Sequence, residues 1–127
     1  MKAQSLNGKT FRTFSNSDNG EVGSETLFLY HEDGGIIWAE YSGGLIRKGF
    51  LIGKRITEDT LDLCYQHISL DGGIRTGICA STITMETSGK IRILEKWRWT
   101  CGDGSEGESV ILETDQLEAT RATTPGS

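Results

Sequence analysis

Proline is almost missing from this chain: one residue, Pro125, stands against seventeen glycines in 127 residues. Such a composition allows many tight turns and few rigid linkers. Also missing is any run approaching the roughly 20 apolar residues that a membrane helix requires. The opening Met1-Lys2-Ala3-Gln4-Ser5-Leu6-Asn7 has no apolar leader segment. The expectation is a cytoplasmic protein that does not engage membranes. Cations are in deficit, with 13 Lys and Arg against 18 Asp and Glu and a net charge of -5. Phosphate backbones are bound by displacing counterions with lysine and arginine, so nucleic acid is not expected as a partner. The three cysteines, Cys64, Cys79 and Cys101, are widely spaced and form no Cys-x-x-Cys pair. They read as free thiols packed as small hydrophobes. Two histidines, His31 and His67, are too few to make a metal site by themselves. Neither Asp18-Asn19-Gly20-Glu21 nor Asp103-Gly104-Ser105-Glu106 has the ligand order of a calcium loop. No metal and no cofactor is expected.

What the chain does have is a series of glycine-marked turns. They fall at Asp33-Gly34-Gly35, Ser42-Gly43-Gly44, Asp71-Gly72-Gly73, Ser88-Gly89 and Gly102-Asp103-Gly104. Short alternating segments between such turns are the strongest local signal for β-hairpins. About eight strands are predicted, near residues 8–15, 24–33, 35–42, 44–54, 59–69, 74–86, 90–101 and 108–115. No helix is predicted, because after Thr57-Glu58-Asp59-Thr60 the run Leu61-Asp62-Leu63-Cys64-Tyr65 alternates with period two. The fold class is therefore all-β, an antiparallel up-and-down meander forming one domain over residues 1–115. The tail 116–127 has only Leu117 as a large apolar group and is expected to be flexible. Eight strands that curl remove their exposed edges by closing into a barrel, and a two-layer sandwich is the alternative. Barrels of this size are filled by side chains or hold one small ligand, as in lipocalins and streptavidin.

Residues two apart on a strand share a face, so parity marks the interior. Over Ile36–Tyr41, one face takes Ile36, Trp38 and Glu40; over Leu61–His67, the apolar face takes Leu61, Leu63, Tyr65 and His67; over Ile91–Cys101, it takes Ile91, Ile93, Glu95, Trp97, Trp99 and Cys101. Arg47 shares parity with Leu45 and Leu51, and bulges are plausible near Gly49 and Gly77. Each of these faces mixes ionisable groups with aromatics. A buried carboxylate needs a hydrogen bond, a cation or a raised pKa. Convergent polar groups in an aromatic cavity are how small-molecule sites are built. Trp38, Glu40, Arg47, Tyr65, His67, Glu95, Trp97 and Trp99 are thus the candidate ligand-binding set; the plainer alternative is that they pair at a barrel rim and bind nothing. In Lys96-Trp97-Arg98-Trp99, parity sends the cations and the tryptophans to opposite faces, which breaks up a base-stacking platform.

The stretches Lys9-Thr10-Phe11-Arg12, Gly20-Glu21-Val22, Glu25-Thr26, Tyr41-Ser42-Gly43-Gly44, Tyr65-Gln66-His67-Ile68, Gly89-Lys90-Ile91-Arg92 and Glu95-Lys96-Trp97 through Gly102-Asp103 carry a resemblance. From about Leu6 to Glu113 the chain resembles a family of small bacterial proteins commonly labelled N-acetylglutamate synthase. The resemblance implies a compact bacterial barrel and, through the label, acetyl transfer from acetyl-CoA to glutamate. The nearest glycine-containing segment to a pyrophosphate cradle, Arg47-Lys48-Gly49-Phe50-Leu51-Ile52-Gly53, lies in a predicted strand with no helix after it.

Two functional readings follow. The first is a barrel binding a small molecule in an interior pocket. The second is a barrel enzyme, with Glu95 and His67 as an acid–base pair or with the acetyl transfer of the label. A filled barrel acting through its surface or as a homo-oligomer is the third.

Overall fold

The computed structural model describes residues 4–115; the expected flexible tail, 116–127, lies outside the described residues. Eight strands follow in chain order: β1 Thr10–Asn16, β2 Leu27–Asp33, β3 Ile36–Gly43, β4 Ile46–Thr57, β5 Thr60–Ser69, β6 Ile74–Met85, β7 Ile91–Trp99 and β8 Glu106–Thr114. Each pairs antiparallel with the next, and β8 returns to β1 from Thr10↔Thr114 to Asn16↔Ser109. That last ladder decides for the closed barrel over the sandwich, since it satisfies both edges the meander would otherwise expose. The turns have the predicted chemistry. At Asp33-Gly34-Gly35 both glycines take positive φ, 58° and 83°, the twist that a two-residue hairpin needs.

The two ends of the barrel are filled differently. At the end where the chain enters, Leu6 is fully buried as a plug. Its N–H donates to Glu32 Oε1 (3.0 Å), and Arg55 grips the same carboxylate twice at 2.8 Å. The Arg55 guanidinium holds the Glu32 carboxyl below its ordinary range. Above the plug, Phe11, Tyr30, Ile37, Leu61, Ile91, Ile93 and Ile111 form an apolar core. This half is packed shut. The opposite half carries Tyr41, Tyr65, His67, Glu95, Trp97 and Trp99, and there the packing opens.

Two expected orientations are corrected by the structure. On β3 the inward face is Ile37, Ala39 and Tyr41, while Trp38 and Glu40 lie outside. Both faces of this strand carry apolar residues, so parity alone did not rank them; the charge did. Turning Glu40 inward would bury a carboxylate, whereas outside it bonds His31 Nε2 at 2.8 Å, and His31 in turn stacks on Trp38 with ring centroids 5.2 Å apart. Arg47 is likewise exposed. A bulge places Arg47 and Lys48 opposite a single step of each neighbouring strand, so parity reverses between Ile46, which is buried, and Gly49. No such break occurs at Gly77, where the β5–β6 register runs unbroken from Thr60↔Thr82 to Ile68↔Ile74.

Candidate functional site

Two strands, β5 and β7, supply most of the polar and aromatic side chains because their parity is uninterrupted. Along β5, Leu61, Leu63, Tyr65, His67 and Ser69 point inward; along β7, Ile91, Ile93, Glu95, Trp97 and Trp99 do so. Tyr41 arrives from β3 and Ser109 from β8. Glycines on adjoining strands make room for the rings. A Cβ at Gly49 would meet the Tyr41 ring at 2.3 Å, one at Gly77 the Tyr65 ring at 2.2 Å, and one at Gly107 the Trp97 indole at 2.5 Å. Each pair is also a register pair, Tyr41↔Gly49, Tyr65↔Gly77 and Trp97↔Gly107. Laying a ring across a cross-strand glycine covers the glycine and flattens the ring against the wall.

The resulting pocket has an empty volume of about 480 Å³, counting the solvent at its mouth. Its walls are Phe28, Tyr41, Tyr65, Trp97 and Trp99, with Leu51, Leu63 and Cys79 behind them and Glu95 and Ser109 set among them. The rings touch in a chain. Trp97 and Trp99 are 5.5 Å apart, Trp99 and Tyr65 5.7 Å at an edge-on 68°, Trp99 and His67 5.8 Å at 75°.

Glu95 is 6% exposed and accepts a hydrogen bond from Ser109 Oγ to Oε1 at 2.7 Å. Burial raises its carboxyl to about 7, with the Ser109 bond pulling the other way. Burial also pushes the Cys79 thiol and the Tyr41 and Tyr65 phenols upward, which keeps all three neutral. The inner part of the pocket is therefore uncharged except for one acid that titrates near neutral pH.

Glu21 reaches the mouth from the β1–β2 loop. Its Oε1 accepts from His67 Nε2 (2.8 Å) and Ser69 Oγ (2.6 Å), and Arg75 Nε lies 3.4 Å from Oε2. Burial alone would raise this carboxyl, but the Ser69 and His67 hydrogen bonds and the Arg75 charge outweigh it and hold the group below its ordinary range. With Nε2–H donated to Glu21, His67 Nδ1 accepts from Tyr41 Oη at 3.0 Å. Burial favours this neutral form and lowers the His67 pKa against the pull of Glu21. The loop is also tied to the wall: Trp97 Nε1 donates to Asn16 Oδ1 (3.2 Å), Trp99 Nε1 to the Asn19 carbonyl (3.3 Å), and Asn16 Nδ2 to the Val22 carbonyl (2.9 Å).

Of the eight residues that the sequence singled out, the structure gathers Tyr65, His67, Glu95, Trp97 and Trp99 at this pocket and places Trp38, Glu40 and Arg47 on the outer surface. Sequence reasoning missed Glu21, Asn16, Tyr41 and Ser109. Ser109 had no reliable signal: counting from the Gly102-Asp103-Gly104 turn would set Ile111 opposite Glu95, whereas the observed β7–β8 register sets Ser109 there. Glu21 had none, since a loop residue carries no periodicity, and Asn16 ends β1 beyond the register shift between Thr13 and Ser15, where parity no longer holds. Among the described residues, no group of three or more His, Cys, Asp or Glu is placed to hold a metal.

A family model described as avidin-like protein matches residues 4–114. The chain belongs to that family. Searches of curated proteins and of solved structures gave no match. The avidin-like barrel is a fold that typically binds small molecules, and the pocket lies within the matched span. Among the described residues, no helix is long and apolar enough to cross a membrane.

Proposed function

We propose that this avidin-like protein binds a small molecule in the aromatic pocket at the Glu21 end of the barrel. The observation that carries the reading is the asymmetry of the interior. One half is packed with apolar side chains, whereas the other keeps an aromatic-walled opening with a single buried carboxyl. Maximal stability would favour filling that space and removing the carboxyl. The test is a panel of single-ring compounds followed by thermal shift and by the NMR signals of the Trp97 and Trp99 indole N–H groups. A ligand of the folded state must raise the unfolding temperature. The reading fails if no compound moves the indole signals, or if the response survives replacement of both Tyr65 and Trp99 by alanine.

Acid–base catalysis draws support from the Glu95 carboxyl near 7. Against it, both His67 ring nitrogens already have partners, Glu21 and Tyr41, so His67 has no nitrogen free for a substrate. Acetyl transfer to glutamate lacks a cradle: Arg47–Gly53 lies in β4, where its backbone is engaged with β3 and β5. Binding is the better reading.

The chain also presents a surface for a second copy of itself. Trp38↔Ile52, Ile52↔Cys64 and Cys64↔Ile78 are successive register pairs, giving an uncharged row across the outer face of β3 to β6, with Ile52 48% and Ile78 38% exposed. Beside it, Lys54 and Asp62 sit opposite one another. A two-fold axis parallel to the strands and midway between β4 and β5 would make this face self-complementary and set each Lys54 toward the partner's Asp62.

A further inference from the structure

We propose that the pocket selects small planar ligands with a cationic nitrogen head, amidines and aminoheterocycles by class, the head meeting Glu95 and the ring lying among Tyr65, Trp97 and Trp99. This rests on the pocket reading above and specifies its ligand.

The charge of the lining is one-sided. Its ionisable members are Glu21, Tyr41, Tyr65, His67, Cys79 and Glu95, with no lysine or arginine. Glu21 has its charge answered, by Arg75 and by the His67 and Ser69 donors. Glu95 does not. Ser109 occupies one carboxyl oxygen, and the other has no hydrogen-bond partner among the described residues. The fully buried Tyr30 hydroxyl also lacks a partner and feels the Glu95 charge. A buried carboxylate is best matched by a charge-assisted N–H donor, and a planar cation adds attraction to the faces of tryptophan and tyrosine. An anionic ligand would meet Glu95 with nothing to offset it.

Size narrows the class further. Within the pocket, the space that admits the centre of a water molecule is about 50 Å³. One water needs about 10–15 Å³ on that measure, so the space suits one ring with a short head rather than a long chain.

The proton balance is simple. Below the Glu95 transition, binding the cation ionises the carboxyl and releases its proton to solvent. Since that transition lies near 7, the ionised fraction rises about tenfold between pH 6 and pH 8, and cation affinity rises with it. The other titratable groups facing Glu95 are the Tyr30, Tyr41 and Tyr65 phenols and the Cys79 thiol, all raised and neutral through this range. Further up the pocket, Glu21 stays ionised and burial keeps His67 toward its neutral form.

Three isosteric probes test this: benzamidine (cation), benzamide (neutral) and benzoate (anion), titrated against the whole chain at pH 6 and pH 8. Indole N–H signals locate the binding. Calorimetry in two buffers of different ionisation enthalpy counts protons. Benzamidine is expected to bind tightest and benzoate weakest, with benzamidine about tenfold tighter at pH 8 and about one proton released at pH 6. In Glu95→Gln the benzamidine affinity should drop at least about tenfold at pH 8 and lose its pH dependence. If benzoate matches benzamidine, or Glu95→Gln leaves benzamidine binding unchanged, the charge selection is overturned, and benzamide shifting the Trp97 and Trp99 signals would show that the pocket reading survives. If no probe shifts those signals at millimolar concentration, both readings fall.

Discussion

Glu95 is the residue on which stability and the proposed binding turn together. Its native carboxyl titrates near 7, against 4.5 for an ordinary glutamate, because burial penalises the charge. The unfolded chain gives up this proton first, so stability is full below about 4.5 and falls as pH rises through 7. The shift corresponds to about 3 kcal/mol. Glu95→Gln should remove that fall: urea denaturation at pH 5 and pH 8 is expected to show the variant near wild type at pH 5 and more stable than wild type at pH 8. Glu21 and His67 act with the opposite sign. Both have lowered native values, so the unfolded chain binds their protons first. His67 costs stability as pH falls below 6.5, and Glu21 does so below 4.5. Replacing Glu21 by glutamine should flatten the acid limb of the stability curve.

At the scale of elements, the β1–β2 loop and the glycine-backed rings shape the pocket. The loop is held by Glu21 on one side and by the Trp97 and Trp99 indoles on the other. Glu21→Gln is therefore expected to speed hydrogen exchange of the amides from Ser17 to Thr26, including Gly20 N–H, which is bonded to the Ser17 carbonyl. Exchange in the β5–β6 ladder should stay as in wild type. Gly77→Ala tests the ring platform. The added methyl meets the Tyr65 ring and the Arg98 carbonyl, so a loss of about 1–3 kcal/mol is expected from overpacking. The displaced ring would narrow the pocket, lowering probe affinity in the same titration. The elements themselves were legible because turn glycines and two-residue alternation act locally. The β4 bulge was legible only as a place, near Gly49; which residues it turned outward depended on the neighbours on both sides.

At the scale of the molecule, closure gives the barrel an inside, and the inside gives the chain its pocket. Its outer face has a separate consequence. If the row from Trp38 to Ile78 pairs two copies, Ile52→Lys with Ile78→Lys should shift sedimentation velocity from the oligomer to the monomer without changing the unfolding transition extrapolated to low concentration. Both side chains are exposed, so the double variant leaves the core intact. A wild-type chain that sediments as a monomer at high micromolar concentration would overturn the pairing.

The sequence by itself determined the all-β class, the strand order, the turns, and the inward faces of β5 and β7, because each follows from residues adjacent along the chain. It therefore placed Tyr65, His67, Glu95, Trp97 and Trp99 on interior faces. Tertiary structure decided the pairings, registers and orientations that local alternation leaves open. It closed β8 onto β1, turned Trp38, Glu40 and Arg47 outward, set Ser109 against Glu95, and brought Glu21 to His67 across 46 residues. Local alternation ranks two faces of a strand only when one is clearly more polar, and β3 offered two mixed faces. The cost of burying Glu40, and the space that Gly49 leaves for the Tyr41 ring, are set by neighbours that exist only once the barrel has closed.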